Sequence, residues 1–190
     1  MRILIETGIL IDYLARGQYA VLRKAHRSGR DPQALYSDAQ NLLDLVATSP
    51  VEGTISALTF YEAEEALYRE ISPSIKAVPN AEALRLAVCR PILNQALTAA
   101  QLFNLRILEL SENAVMAVPS LPLLAEKGVR AADSLHVTTA ANHDVDVIVS
   151  ADSDIKQLDM LVANGKRSKM RCVDSDVALA LLRSSISDSF

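Results

Sequence analysis

Five carboxylates, Glu6, Glu62, Asp133, Asp152 and Asp154, carry most of the chemistry open to this sequence. Each stands where a short apolar run gives way to a helical pattern. Glu6 directly follows Ile3-Leu4-Ile5, Glu62 is expected in the first turn of the helix after Ile55-Ser56, Asp133 in the first turn of the helix after Gly128, and Asp152 and Asp154 follow the strand Asp146 to Val149. In a parallel α/β sheet, ligands bind at the carboxyl ends of strands, where the chain turns into the next helix. Four separate segments therefore deliver carboxylates to one edge of one sheet. Such a cluster repels itself and costs several kcal/mol unless cations neutralise it. Hard oxygen ligands suit Mg²⁺ or Mn²⁺. A divalent ion so held is the equipment of phosphodiester hydrolysis.

Plainer roles compete for each acid. Thr59 and Glu62 have the spacing of a capping box, Asp152 fits the cap of a helix starting at Ser153, and Asp133 complements the positive end of its own helix. Asp12, a turn or more inside the first helix, reads as a solvated or hydrogen-bonding residue. The joint placement favours a site, because independent caps have no reason to share a sheet edge. His26, His136 and His143 lack metal-ligand spacing, and His136, at helical spacing from Ala132 and Thr139, reads as a packing residue. No G-x-S-x-G, GxxxxGK[ST] or GxGxxG motif is present.

The elements that must position these acids alternate. Strands are expected at Ile3 to Ile5, Gly53 to Ser56, Leu105 to Leu110, Val145 to Val149 and Met170 to Val173. Between them come helices over Ile9 to Leu14, Gln33 to Thr48, Thr59 to Glu70 stopped by Ser72-Pro73-Ser74, and Ala81 to Gln101 broken at Pro91. A further segment capped by Ser111 and interrupted by Pro119 and Pro122, then Ala131 to His143 and Ser153 to Leu161, complete the pattern. Alternation of this kind predicts a parallel sheet covered by helices on both faces. The 190 residues, half of them hydrophobic, suit one domain over 1–183 with a polar tail at 184–190. A net charge of -4 means that any hold on nucleic acid rests on local cations. Two strips qualify, Arg16, Arg23, Lys24, Arg27 and Arg30, and the run Lys166 to Arg171. Cys89 and Cys172 without CxxC spacing, and no apolar stretch of membrane length, point to a cytoplasmic protein off the membrane.

Four segments resemble the motifs of the PIN-domain family, and within it the VapC-type toxins of bacterial toxin–antitoxin pairs. Ile3 to Asp12 is similar to the first strand, acid-Thr pair and first helix. Ile55 to Glu62 resembles the second motif, Arg130 to His136 the third with its central Asp, and Val149 to Asp154 the fourth. The resemblance implies a three-layer α/β/α sandwich with a central, mostly parallel sheet. It implies that Glu6, Glu62, Asp133 and Asp152, with Asp154 in support, hold Mg²⁺ or Mn²⁺, and that Thr7 and Ser150 orient ligands through their hydroxyls. The implied activity is endonucleolytic hydrolysis of RNA leaving 3′ hydroxyl and 5′ phosphate ends, by a homodimer silenced by a small antitoxin protein. A catalytically inactive PIN-like scaffold that binds RNA or protein is the alternative. The sequence departs from the pattern at Glu6, where the family has Asp, so the carboxylate reaches about one C–C bond further. Extra length lies around Gly17 to Pro32 and Ser72 to Gln101.

Overall fold

The computed structural model describes residues 1–24, 30–75 and 79–187. Five parallel strands, β1 (Arg2–Ile5), β2 (Glu52–Ser56), β3 (Arg106–Leu108), β4 (Val147–Val149) and β5 (Arg171–Val173), form one sheet in the order β3-β2-β1-β4-β5. The helices are α1 (Thr7–Leu14), α2 (Pro32–Thr48), α3 (Leu58–Ile75), α4 (Ala81–Cys89), α5 (Pro91–Leu102), α6 (Glu112–Ala117), α7 (Pro122–Glu126), α8 (Ala131–Asn142), α9 (Ser153–Lys156) and α10 (Ser175–Ser187), with a 3-10 segment at Gly17–Lys24.

Side-chain alternation along the strands makes the three layers. Ile3 and Ile5 of β1, Val147 and Val149 of β4 and Val173 of β5 enter one core with α1, α2, α3, α5 and α10. Leu4, Ile148 and Cys172 point the other way, into a second core with Leu124 of α7, Val137 and Ala140 of α8 and Ile155 of α9. Strands β1 and β4 are thus buried on both faces, as their continuous apolar runs require, whereas the edge strand β3 leaves Arg106 and Ile107 exposed. Close approach of α2 to β2 depends on Gly53, where a Cβ would stand 2.3 Å from Val46 Cγ1 and 2.7 Å from Leu105 Cδ2.

Several boundaries differ from the sequence expectations. Helix α3 runs through Ser72-Pro73-Ser74 to Ile75. So late a proline removes only one intrahelical bond, and the Ser72 hydroxyl donates back to the Tyr68 carbonyl at 2.6 Å. The break at Pro91 and the Ser111 cap, which accepts from Ala114 N at 3.3 Å, stand as expected. Gly128 ends α7 in the left-handed region, at φ +69°. Helix α9 stops at Lys156 rather than Leu161, and Met160, at φ 59°, lies outside helical conformation. Helix α10 has no counterpart in the expected elements, and it runs past the boundary expected at 183 to Ser187. Residues 188–190 lie outside the described residues. No helix among the described residues is long and apolar enough to cross a membrane.

Candidate metal centre

Strand order reverses at β1, which has β2 on one side and β4 on the other. A crevice opens outside the carboxyl ends of strands at such a switch point. A cavity of about 480 Å³ occupies it here, lined among others by Glu6, Thr7, Glu62, Arg69, Arg130, Asp133 and Asp152.

Glu6 ends β1 and caps α1. Its backbone N–H reaches the Val149 carbonyl at 3.0 Å, and its Oε2 accepts from Gly8 N at 3.0 Å and from Ser150 Oγ at 3.1 Å. The residue is only 6% exposed. Burial pushes its carboxyl above the ordinary range, against the field of His136 and the Gly8 bond. Gly8 serves this turn, since a Cβ there would lie 2.9 Å from Ala151 Cβ and 3.1 Å from Glu6 Oε2.

Glu62 lies one residue further into α3 than expected, because that helix already starts at Leu58. Its carboxylate does not close a capping box. Thr7 Oγ1 donates to its Oε2, and His136 Nε2 stands 2.7 Å from the same oxygen, while Thr59 Oγ1 is buried with no partner among the described residues. Burial raises the Glu62 carboxyl, but the His136 hydrogen bond and charge and the Thr7 bond outweigh it and hold the group below its ordinary value. For His136 burial pulls downward, and the bond to Glu62 with the fields of Glu6 and Asp133 brings the ring above its usual value.

His136 is therefore more than the packing residue the sequence suggests. It is fully buried on α8, and ligand atoms of Glu6, Glu62 and His136 all lie within 4.8 Å of one another, a group that could hold a metal ion. The signal that could have found it is its position three residues after Asp133, which puts both on one helix face.

Asp133, Asp152 and Asp154 form a looser set outside that triad. Arg130, exposed at the start of α8, stands 3.7 Å from Asp133 Oδ2, 3.5 Å from Asp152 Oδ2 and 3.8 Å from Asp154 Oδ2. Burial, then the charges of Asp152 and Glu6, raise Asp133 to about 6 despite Arg130. Asp152 also caps α9, its Oδ1 accepting from Asp154 N at 2.7 Å, and Ser150 Oγ accepts from Asp152 N at 3.0 Å. Glu6, Thr7, Glu62, Asp133 and Asp152 line the cavity, whereas Ser150 stands behind Glu6 and Asp154 behind Arg130.

The side chains of Arg23, Lys24 and Arg27 are not among those described, and the other residues of the expected basic strips stand away from the cavity lining. Lys166 to Arg171 lead into the first residue of β5, at the opposite end of the parallel sheet from the cavity. There Arg171 pairs with Asp159 at 2.8 Å. Of the other strip, Arg30 is engaged by Asp38, by Asp174 at 3.6 Å and by Asp176 at 3.9 Å, and Arg16 donates to Tyr36 OH at 2.7 Å. Arg27 lies outside the described residues. Among the described residues, the cations that line the cavity are Arg69 and Arg130, neither of which belongs to a basic run.

No protein-family model matches the chain, and comparison with curated proteins finds no match.

Proposed function

We propose that the chain is a metal-dependent endoribonuclease acting in the cytoplasm as the toxin half of a toxin–antitoxin pair. The observation that carries this reading is the convergence of Glu6, Glu62 and His136 within 4.8 Å, beside a cavity that Glu6 and Glu62 line together with Asp133 and Asp152. The donor set fits a divalent cation, since the carboxylate oxygens of Glu6 and Glu62 suit Mg²⁺ and Mn²⁺. The raised carboxyls of Glu6 and Asp133 are what a cation would relieve. A bound ion would supply Lewis acidity and offset phosphate charge.

The chain's own groups divide the remaining work. Glu6 and Glu62 would hold the ion, while Asp133, on the lining of the cavity, is the carboxylate placed to take the proton of an attacking water. Asp152 and Asp154 keep Arg130 at the rim, and Arg130 and Arg69 are the donors available to a phosphate of RNA. Cys89 and Cys172, both free and buried, agree with a reducing compartment. A small antitoxin and a second copy of the chain are the partners of this reading, and the exposed Leu84, Leu86 and Val88 of α4 offer apolar surface to them.

One observation favours the scaffold alternative. Glu6 Oε2 already accepts two hydrogen bonds in a buried setting that resists ionisation. The deciding experiment incubates pure protein with mixed RNA, with Mn²⁺, Mg²⁺ or chelator. Cleavage that needs metal and is abolished by Asp133→Asn supports the nuclease. Intact RNA with either ion, even after Glu6→Asp, leaves the scaffold.

A further inference from the structure

We propose that His136 is a positioning residue that acts through Glu62, clamping Oε2 of that carboxylate together with Thr7 and leaving Oε1 to the cavity. The proposal deepens the reading of this cavity as a cation site and rests on it only for the use to which the clamp is put.

Three elements meet at one oxygen. Thr7 opens α1, His136 lies in α8 and Glu62 in α3, and both hydroxyl and imidazole converge on Oε2. Two donors from two different helices triangulate an acceptor on a third. Among the described residues no hydrogen-bond donor reaches Oε1, and Glu62 keeps a share of its side chain, 21%, exposed toward the cavity that it lines.

A fully buried imidazole that made only packing contacts would leave both ring nitrogens unsatisfied, a cost that native interiors avoid. His136 Nδ1 has no partner among the described residues, so Nε2 is the atom that justifies a polar side chain here. Coordination through Nε2 would require the ring to surrender its 2.7 Å bond to Glu62. The clamp requires no rearrangement. Partners of this kind, behind a metal-binding side chain, typically govern affinity by 10–100-fold.

The test uses the full chain and Mn²⁺ as probe. His136→Leu keeps the bulk and removes the donor, whereas His136→Gln places an amide N–H at similar reach. With folding verified by circular dichroism, His136→Leu is expected to weaken Mn²⁺ binding, followed by electron paramagnetic resonance, by roughly 10–100-fold, and His136→Gln to recover most of it. Pulsed spectra of the Mn²⁺ complex should show no strong ¹⁴N coupling from a directly bound imidazole. In metal-free protein the His136 Nε2 proton should be slow to exchange, and Glu62→Ala should abolish that protection. Strong nitrogen coupling, a Gln variant as weak as the Leu variant, undiminished affinity in both, or an unprotected Nε2 proton would each overturn the clamp. If the parent chain binds no Mn²⁺, the cation-site reading falls, and the Nε2 proton still decides whether the clamp exists.

Discussion

Asp133→Asn should make the metal-free protein more stable, and the gain should depend on pH. In the folded chain the Asp133 carboxyl sits at about 6 against an ordinary 3.8, because burial and the charges of Asp152 and Glu6 disfavour its ionised form. The folded state therefore binds this proton more tightly than the unfolded chain does, and stability falls as pH rises between the two values. At about 1.4 kcal/mol per pH unit, the gap amounts to ~3 kcal/mol of destabilisation, complete above about pH 6 and absent below about pH 4. The side chain is only 13% exposed, so solvent screening removes little of this. The amide keeps the shape and removes the charge. In chelator at pH 7.5 the variant should unfold at a Tm higher by about 6–12 °C, and the advantage should shrink steadily toward pH 4.5. Urea unfolding across that range, with the same series repeated in Mn²⁺, measures it. Equal or lower stability of the variant at pH 7.5, or a difference indifferent to pH, would refute the account of Asp133 as a strained carboxylate.

Glu6→Gln should likewise stabilise the chelated protein, since burial disfavours the Glu6 charge, and should erase any rise in Tm on adding Mn²⁺. Gly8→Ala, whose Cβ would press on Ala151 and on Glu6 Oε2, should lower Mn²⁺ affinity in calorimetric titration with a stability loss of about 1 kcal/mol. Gly53→Ala tests the fold instead, because its Cβ would overlap Val46 and Leu105. A loss of about 1–3 kcal/mol in urea unfolding is expected there, with cation binding unchanged in whatever fraction remains folded.

How far the sequence could be read followed from where each signal originates. Strands β1 and β4 are legible because the runs Ile3-Leu4-Ile5 and Val147-Ile148-Val149 are buried on both faces and stand out from their flanks. Helix caps at Ser111 and Asp152 are local and legible for the same reason. Helix α10 escapes although Val177 to Leu182 is an unbroken apolar run, because the serines that follow it read as a polar tail, and packing of Ala178, Leu179 and Leu182 on the core reveals it. The acids of the cavity can be anticipated from their places after strands. His136 offers only its place three residues after Asp133, and the partner that defines its role lies 74 positions away on another helix. Arg130 and Arg69 escape in the same manner: a lone arginine has no sequence signature, whereas the basic run at Lys166 to Arg171 has one and stands at the wrong end of the sheet.

The strand that lies at the middle of the sheet is the earliest in the chain. During synthesis β1 leaves the ribosome long before β4, its neighbour on one side, and the bond between Glu6 and Ser150 spans 144 residues. Contacts of such separation form late and slowly. A nascent chain halted before β4 carries Glu6 and Glu62 but lacks Ser150 and Asp152 to complete the pocket. The pocket is thereby left incomplete until β4 and the turn that follows it have been made.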